Sequence, residues 1–499
     1  MASPLKKLAS QTAIYGLSSI LGRFLNYLLT PLYTSAEVFQ TDQYGIITEM
    51  YSYVAFLVVL LMYGMETAFF RYYSDAKNKD AVYSTALWSM IISTTVFVSA
   101  TSLFAQPIAS FLGYPDHSEY ISWFALIVGL DALIAIPLAK LRAENKAIRF
   151  VFINFSFISI NIGLNLFFLV YCLQGYNDGN TNWIIDFAYD PETAVGYVFI
   201  ANLIASVFRF LLVMPDMIKI RFVFDRVIWK NLLLYGAPLL IVGLAGNINE
   251  ALDKPLLKWL LIPSLGEEQA MSQVGIYGGI YKLSIAITLF VQAYRYAAEP
   301  FFFSQRSNAQ APAAYAKMLH LFTAFVLFAF LIITLFIDVF KQFLQSDEYW
   351  VALGIVPILL LANIFLGIYY NLSVWYKLTD KTIYGSYIAL VGALITISLN
   401  VWLIPIMGYK GCALATLGCY FTMAVISFVI GQHHYPVPYS LPKLGFYFAL
   451  ALSIYFLNLN LNIESLLLTS IIRLLLIGGF LSIVGYIEFF RSKIHDTKN

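Results

Sequence analysis

Charge is scarce in this chain: 12% of its 499 residues are charged, against about 25% in an ordinary soluble domain. A water-soluble globule of this length is therefore excluded. Cysteine is scarcer still. Cys172, Cys412 and Cys419 are the three present, too few for a disulfide framework or a cysteine metal site. Cys412 and Cys419 lie two turns apart on one helix and read as small apolar packing residues. No glycine-rich loop of the GxxxxGK[ST] type occurs, which excludes ATP hydrolysis through a phosphate-binding loop. There is no catalytic constellation either. The neighbours His433 and His434 stand at the end of an apolar run beside Tyr435 and Pro436 and read as interfacial. The chain is thus read as a non-enzyme, with no cofactor and no metal. The polar stretch from Gln174 to Thr193 contains Asp178, Asn180 and Asn182, but Trp183 stands where a calcium loop needs glycine, and the distal Glu is missing. It reads as a solvated loop. A cleaved signal peptide is also excluded, because the first apolar run is too long, contains Arg23 and lacks a small-x-small site.

What the chain has instead is apolar length: 60% of its residues are hydrophobic. A membrane-spanning helix needs about 20 mostly apolar residues. Fourteen segments qualify, at about 8–33, 44–70, 82–112, 118–139, 150–173, 194–215, 229–262, 272–303, 313–337, 349–376, 382–404, 410–432, 443–459 and 464–490. They predict an all-α polytopic membrane protein of fourteen spans. The connections alternate in charge. Lys6 and Lys7, then Arg71, Lys77 and Lys79, then Lys140, Arg142, Lys146 and Arg149, then Lys219, Arg221, Arg226 and Lys230 fall on one side. The intervening connections carry acids, among them Glu37, Asp42, Asp116, Glu119, Asp186, Glu267 and Glu268. Of the 30 basic residues, twenty-one sort to the side of the N-terminus, two (Lys341 and Lys410) to the other, and seven lie within spans. Basic loops stay in the cytoplasm, so both termini are expected there.

An internal repeat runs through the spans. At an offset of 230 residues, Gly45 meets Gly275, Ile46 meets Ile276, Tyr51 meets Tyr281, Ala68 meets Ala298 and Ser74 meets Ser304. Tyr15-Gly16 and Tyr235-Gly236 open the first and seventh spans, and Pro31-Leu32 and Pro255-Leu256 follow in the same order. Six spans separate the copies, so both point the same way through the bilayer. That pattern predicts two parallel six-helix lobes, 1–222 and 223–436, with two extra C-terminal spans in 437–499. The cleft between the lobes is the expected substrate site. Pro238 and Pro255 predict a bent seventh span.

Thirteen ionisable residues lie within the spans, and each costs at least about 2.5–3.5 kcal/mol at mid-bilayer. Spans 1, 2, 7 and 8 hold ten of them. Glu250 with Lys254, and Arg295 with Glu299, stand four residues apart and can neutralise each other on one helix face. Arg23, Lys258 and Lys282 have no acid within a turn, so they are the candidate binders of an anionic ligand. Lys254 and Arg295 complete the cationic set. Arg209 and Arg473 lie near span ends and read as snorkelling to the headgroups. The acids Glu49, Glu66, Asp131, Glu250, Asp253 and Glu299 are candidates for ion coupling or gating. Hydrogen-bonded structural roles are equally open to them. Glu66, five residues before Arg71, reads as a gate or structural pair.

The opening QTAIYGLSSILGRFLNYLLTPLYT and the second-span ending YGMETAFFRYYSDAK resemble the polysaccharide transporter branch of the multidrug/oligosaccharidyl-lipid/polysaccharide exporter superfamily, the Wzx-type oligosaccharide flippases. The resemblance implies twelve core helices in two lobes plus two further helices, in a bacterial cytoplasmic (inner) membrane. It implies a flippase that moves an undecaprenyl-pyrophosphate-linked glycan repeat unit, of O-antigen or capsule type, to the outer leaflet by alternating access. Arg23 would then meet the pyrophosphate by helix and depth, with Lys254, Lys258 and Lys282 matched by lobe alone. The implied partners are the lipid-linked oligosaccharide, membrane lipids and the glycan polymerase machinery, with a monomeric chain and no nucleic acid. A cation-coupled multidrug antiporter of the same fold remains open through Glu250 and Asp253. A membrane polysaccharide polymerase or ligase is disfavoured because no large external loop is available to carry catalytic groups.

Overall fold

The computed structural model describes residues 21–22, 24–218, 223–305, 308, 310–461 and 465–490. Among them every regular element is helical. Thirteen of the described helices are long and apolar enough to cross a membrane, and they correspond one to one to spans 2–14. Most of span 1, including Arg23, lies outside the described residues. The chain is a multi-pass membrane protein that clusters into two compact units, Met1–Gly278 and Gly279–Asn499.

The first unit contains span 2 (Thr41–Ser74), span 3 (Lys79–Leu103), span 4 (Ser118–Ala143), span 5 (Ala147–Asn177), span 6 (Gly196–Ile218), span 7 (Arg226–Ala251) and the start of span 8 (Glu267–Ser304). Span 2 is not one continuous helix. Tyr63 and Gly64 both adopt left-handed backbone, at φ 33° and 74°, and divide it into Thr41–Met62 and Met65–Asp75. A side chain at Gly64 would strike the backbone of Gly236, so this position demands glycine twice over. Tyr63 secures the break with a hydroxyl bond to Ser89, 2.8 Å away.

Two predicted spans are interrupted by proline, and in the same way. Span 3 stops at Phe104 and resumes as Ala105–Leu112, with Pro107 as its third residue. Span 7 stops at Leu252 and resumes as Asp253–Leu265, with Pro255 third. Proline cannot donate to the carbonyl four residues back and its ring crowds that carbonyl, so the ladder breaks just ahead of it. Pro238, by contrast, sits inside Arg226–Ala251 without ending it.

The repeat-related glycines meet. A Cβ on Gly275 would run into the Thr41 carbonyl, and one on Gly45 into that of Met271. Spans 2 and 8 therefore touch backbone to backbone, the packing that small residues permit in a bilayer. Thr41 and Ser272 share a hydroxyl hydrogen bond of 2.8 Å along this seam.

The second unit contains span 9 (Ala311–Leu335), span 10 (Asp347–Leu378), span 11 (Ile383–Met407), span 12 (Tyr409–His434), span 13 (Leu441–Leu459) and span 14 (Leu467–Glu488). Spans 11 and 12 form a hairpin at Gly408, and Gly411 lets the turn close against Leu403. Spans 13 and 14 are tied by Glu488, which accepts from Tyr447 at 2.6 Å and pairs with Lys443 at 2.8 Å. Cys172, Cys412 and Cys419 are buried and none is in a disulfide among the described residues; burial of Cys412 and Cys419 agrees with a packing role. The segment after Gln174 is more ordered than a plain solvated loop. Asn182 caps the short helix Trp183–Ala188 by accepting from Ile184 and Ile185.

Candidate functional site

The first unit holds an open-mouthed cavity of about 630 Å³. Span 4 supplies Asp131, Ile134, Ala135, Leu138 and Arg142, whose spacing keeps them on one helix face. Span 5 supplies Phe150, Asn154, Phe157 and Ile158 in the same manner. Gly22, Asn26, Met62, Glu66 and Arg209 complete its wall.

The charges in this cavity answer one another. Arg209 reaches Asp131 through Nη1 at 3.4 Å and donates through Nη2 to Asn154 Oδ1 at 2.6 Å. Its guanidinium lies over Phe157, 5.2 Å from the ring centre. Arg142 donates to Glu66 and lies over Phe70 and Phe150. Two acids thus face two arginines, and these four charges sum to zero. Both arginines keep a buried Nε that has no hydrogen-bond partner. Just past the cavity, Glu144 pairs with Lys146 at 2.6 Å and accepts from Tyr73 at 3.0 Å. Burial works against its charge, but Lys146, Tyr73 and Lys140 outweigh it and hold the carboxyl below its usual range.

A polar stripe continues along span 5. Asn154, Asn161 and Asn165 recur at steps of seven and four, which is one helix face. Asn161 donates to Asn26 at 3.4 Å, and Asn165 accepts from Tyr33 at 2.7 Å. Attention to formal charge alone passes over this stripe. The spacing of asparagine in FINFSFISINIGLNL is the signal that finds it.

Several expected site residues have other company. Lys258 is not an open cation. It is fully buried, with Nζ 3.0 Å from Glu49 Oε2 and 2.6 Å from the Leu112 carbonyl, over the ring of Tyr114. Its carboxylate comes from another helix, 209 residues away, beyond any spacing rule along one helix. Glu49 is equally buried and also accepts from Tyr53 at 2.8 Å and from Tyr114. Lys254 pairs with its neighbour Asp253 at 2.8 Å and donates to the backbone carbonyl of Glu250 at 3.1 Å. Asp253 accepts in turn from Tyr277 at 2.6 Å. Glu250 is exposed. Glu66 takes Arg142 as its partner, while Arg71 lies over Tyr235. Nor does Arg209 snorkel, since Asp131 holds it. In the second unit Arg295 pairs with Glu299 at 3.1 Å as the spacing predicts, and Lys377 joins them at 2.5 Å. Lys282 is half-buried on span 8. Arg473 donates to Asn458 at 3.0 Å and lies 3.6 Å from Asp338. Among the described residues no group of His, Cys, Asp and Glu is placed to hold a metal.

Comparison with solved structures finds similar folds. A lipid II flippase MurJ in an inward closed conformation aligns at TM-score 0.69 and 16% identity, over 96% of this chain and 99% of that one. An inward-facing multidrug resistance MATE family transporter of the MOP superfamily aligns at 0.63 and 14%, over 85% and 94%. Comparison with curated proteins finds no match. The model of the polysaccharide biosynthesis protein family matches residues 8–305. Through that match, which covers more than half of its length, the chain belongs to the polysaccharide biosynthesis protein family, and its fold is similar to that of the MOP superfamily transporter above.

Proposed function

We propose that this chain is a flippase for a polyprenyl-pyrophosphate-linked oligosaccharide in the bacterial inner membrane, working by alternating access between two six-helix lobes. The observation that carries this reading is the charge balance of the first unit's cavity. Asp131 and Glu66 are each answered by an arginine, so neither is a free negative charge for an organic cation. What remains is a wall rich in both donors and acceptors, suited to hydroxyl groups. Family membership supports the same substrate class. A glycan with a charged linkage cannot cross hydrocarbon unaided, and a polar, water-accessible cavity lowers that barrier.

Arg23 remains the leading candidate for the pyrophosphate, with Lys282 and Arg295 as further candidates. Lys258 leaves the set, because binding a phosphate there would strip a buried carboxylate of its partner. The test is reconstitution of the full chain in vesicles that carry undecaprenyl-pyrophosphate-linked oligosaccharide in one leaflet, with enzymatic probing of the opposite leaflet. Translocation well above that of protein-free vesicles is expected, and no ion-driven efflux of ethidium. Efflux of ethidium without translocation of the lipid would overturn the reading in favour of a cation-coupled antiporter.

A further inference from the structure

The cavity of the first unit separates two parts of the substrate. Resting on the flippase reading, we infer that it is a subsite for the sugar residues alone, with the pyrophosphate held elsewhere. Its ligand is a neutral polyol with an apolar ring face.

Each alternative ligand class meets an obstacle in the wall. An apolar ligand would cover Asp131, Glu66, Asn26 and Asn154 and take water from the bonding capacity that their ion pairs and hydrogen bonds do not use, at about 1–3 kcal/mol for each bond left unmade. An organic cation finds both carboxylates already neutralised. A diphosphate would have to displace those carboxylates from their arginines and then sit beside them, two like charges in a confined space.

A sugar meets no such conflict. Its hydroxyls both donate and accept, so they can bond to Asp131 and Glu66 oxygens, to the asparagine amides and to guanidinium N–H groups without breaking either ion pair. Phe150 and Phe157 line the same wall; an arginine lies over one face of each ring, and the ring surface that remains is apolar area for the C–H face of a pyranose. The volume of about 630 Å³ lies within the roughly 300–1,000 Å³ range of small-ligand sites. Asn154 is the pivot: it lines the cavity, its Oδ1 accepts from Arg209 at 2.6 Å and its Nδ2 donates to the Phe150 carbonyl at 2.9 Å, which leaves the second amide N–H for a sugar hydroxyl.

The experiment measures binding of undecaprenyl pyrophosphate, bare or carrying glucose, galactose or N-acetylglucosamine, to the full chain in detergent micelles by native mass spectrometry. Wild type is expected to bind the bare lipid and to bind at least one glycosylated form roughly tenfold more tightly, the scale of one or two added hydrogen bonds. Asn154→Leu keeps the size of the side chain and Phe157→Leu its apolar character, and each variant leaves both carboxylates in place. Each should abolish the sugar increment while binding the bare lipid as wild type does. Thermal midpoints of both variants, measured alongside, establish that they are folded. Binding of the bare lipid with no increment for any sugar would overturn the subsite and leave the flippase reading intact. So would variants that retain the full increment. Failure of wild type to bind any of the four lipids would overturn both.

Discussion

At the residue scale, Lys258 and Glu49 are the sharpest departure from expectation. Both are fully buried, and they bond to each other at 3.0 Å with Tyr114, Tyr53 and the Leu112 carbonyl closing the remaining positions. Removing one member leaves an uncompensated charge in a low-dielectric site, at a cost of about 3–5 kcal/mol. Removing both costs far less. Lys258→Met and Glu49→Gln should therefore each lower the thermal midpoint strongly, and the double variant should recover most of the loss. Thermal unfolding in detergent reads this out, and additive losses would refute the pairing. Loss of glycan assembly in Lys258→Ala would then reflect a destabilised fold, whereas loss in Arg23→Ala with normal insertion would point to the ligand. Lys258 shows why charge pairs were only partly legible. Arg295 and Glu299 pair four residues apart on one helix, as the sequence spacing says. The partners of Lys258, Asp131 and Glu66 come from other helices, and no spacing along one helix reveals those.

At the scale of elements, the spans were legible because each is a long apolar run, and the bilayer imposes that length directly. Their interruptions were less so. The bend predicted near Pro238 and Pro255 is a break at Leu252, tied to Pro255 alone. The left-handed pair at Tyr63 and Gly64 depends on the approach of Gly236 from span 7, which no local pattern announces. The first pair that the offset of 230 matches, Gly45 and Gly275, marks the place where spans 2 and 8 touch. That contact makes a discriminating prediction. Gly275→Ala forces the backbones of spans 2 and 8 apart and should cost about 1–3 kcal/mol, as overpacking does. Gly163→Ala, with nothing near its added methyl, should instead gain up to about 1 kcal/mol from helix propensity. Opposite shifts in thermal midpoint check the contrast. A neutral Gly275→Ala would mean that the seam is looser than its glycines imply.

For the molecule as a whole, the deciding pattern is the alternation of basic and acidic connections. It follows from how insertion sorts lysine and arginine, so it carries orientation even though nothing in helix packing does. The thirteen described helices match spans 2–14 one to one, so the order of the connections after span 1 is the one from which the orientation is read. The cavity wall includes Glu66, Arg142 and Phe150, which adjoin the basic connections at Lys77 and Lys79 and at Lys146 and Arg149. Under this orientation the sugar subsite opens near the cytoplasmic leaflet, where a lipid-linked repeat unit would be loaded. Single cysteines at exposed positions test it. Lys77→Cys lies in a basic connection and Asn180→Cys in an acidic one, and the three native cysteines are buried, so their background labelling should be low. A membrane-impermeant maleimide added to intact cells should modify Asn180→Cys and spare Lys77→Cys until the membrane is opened. The reverse pattern would invert the topology, turn the cavity toward the outer leaflet and make it a site of release instead of loading.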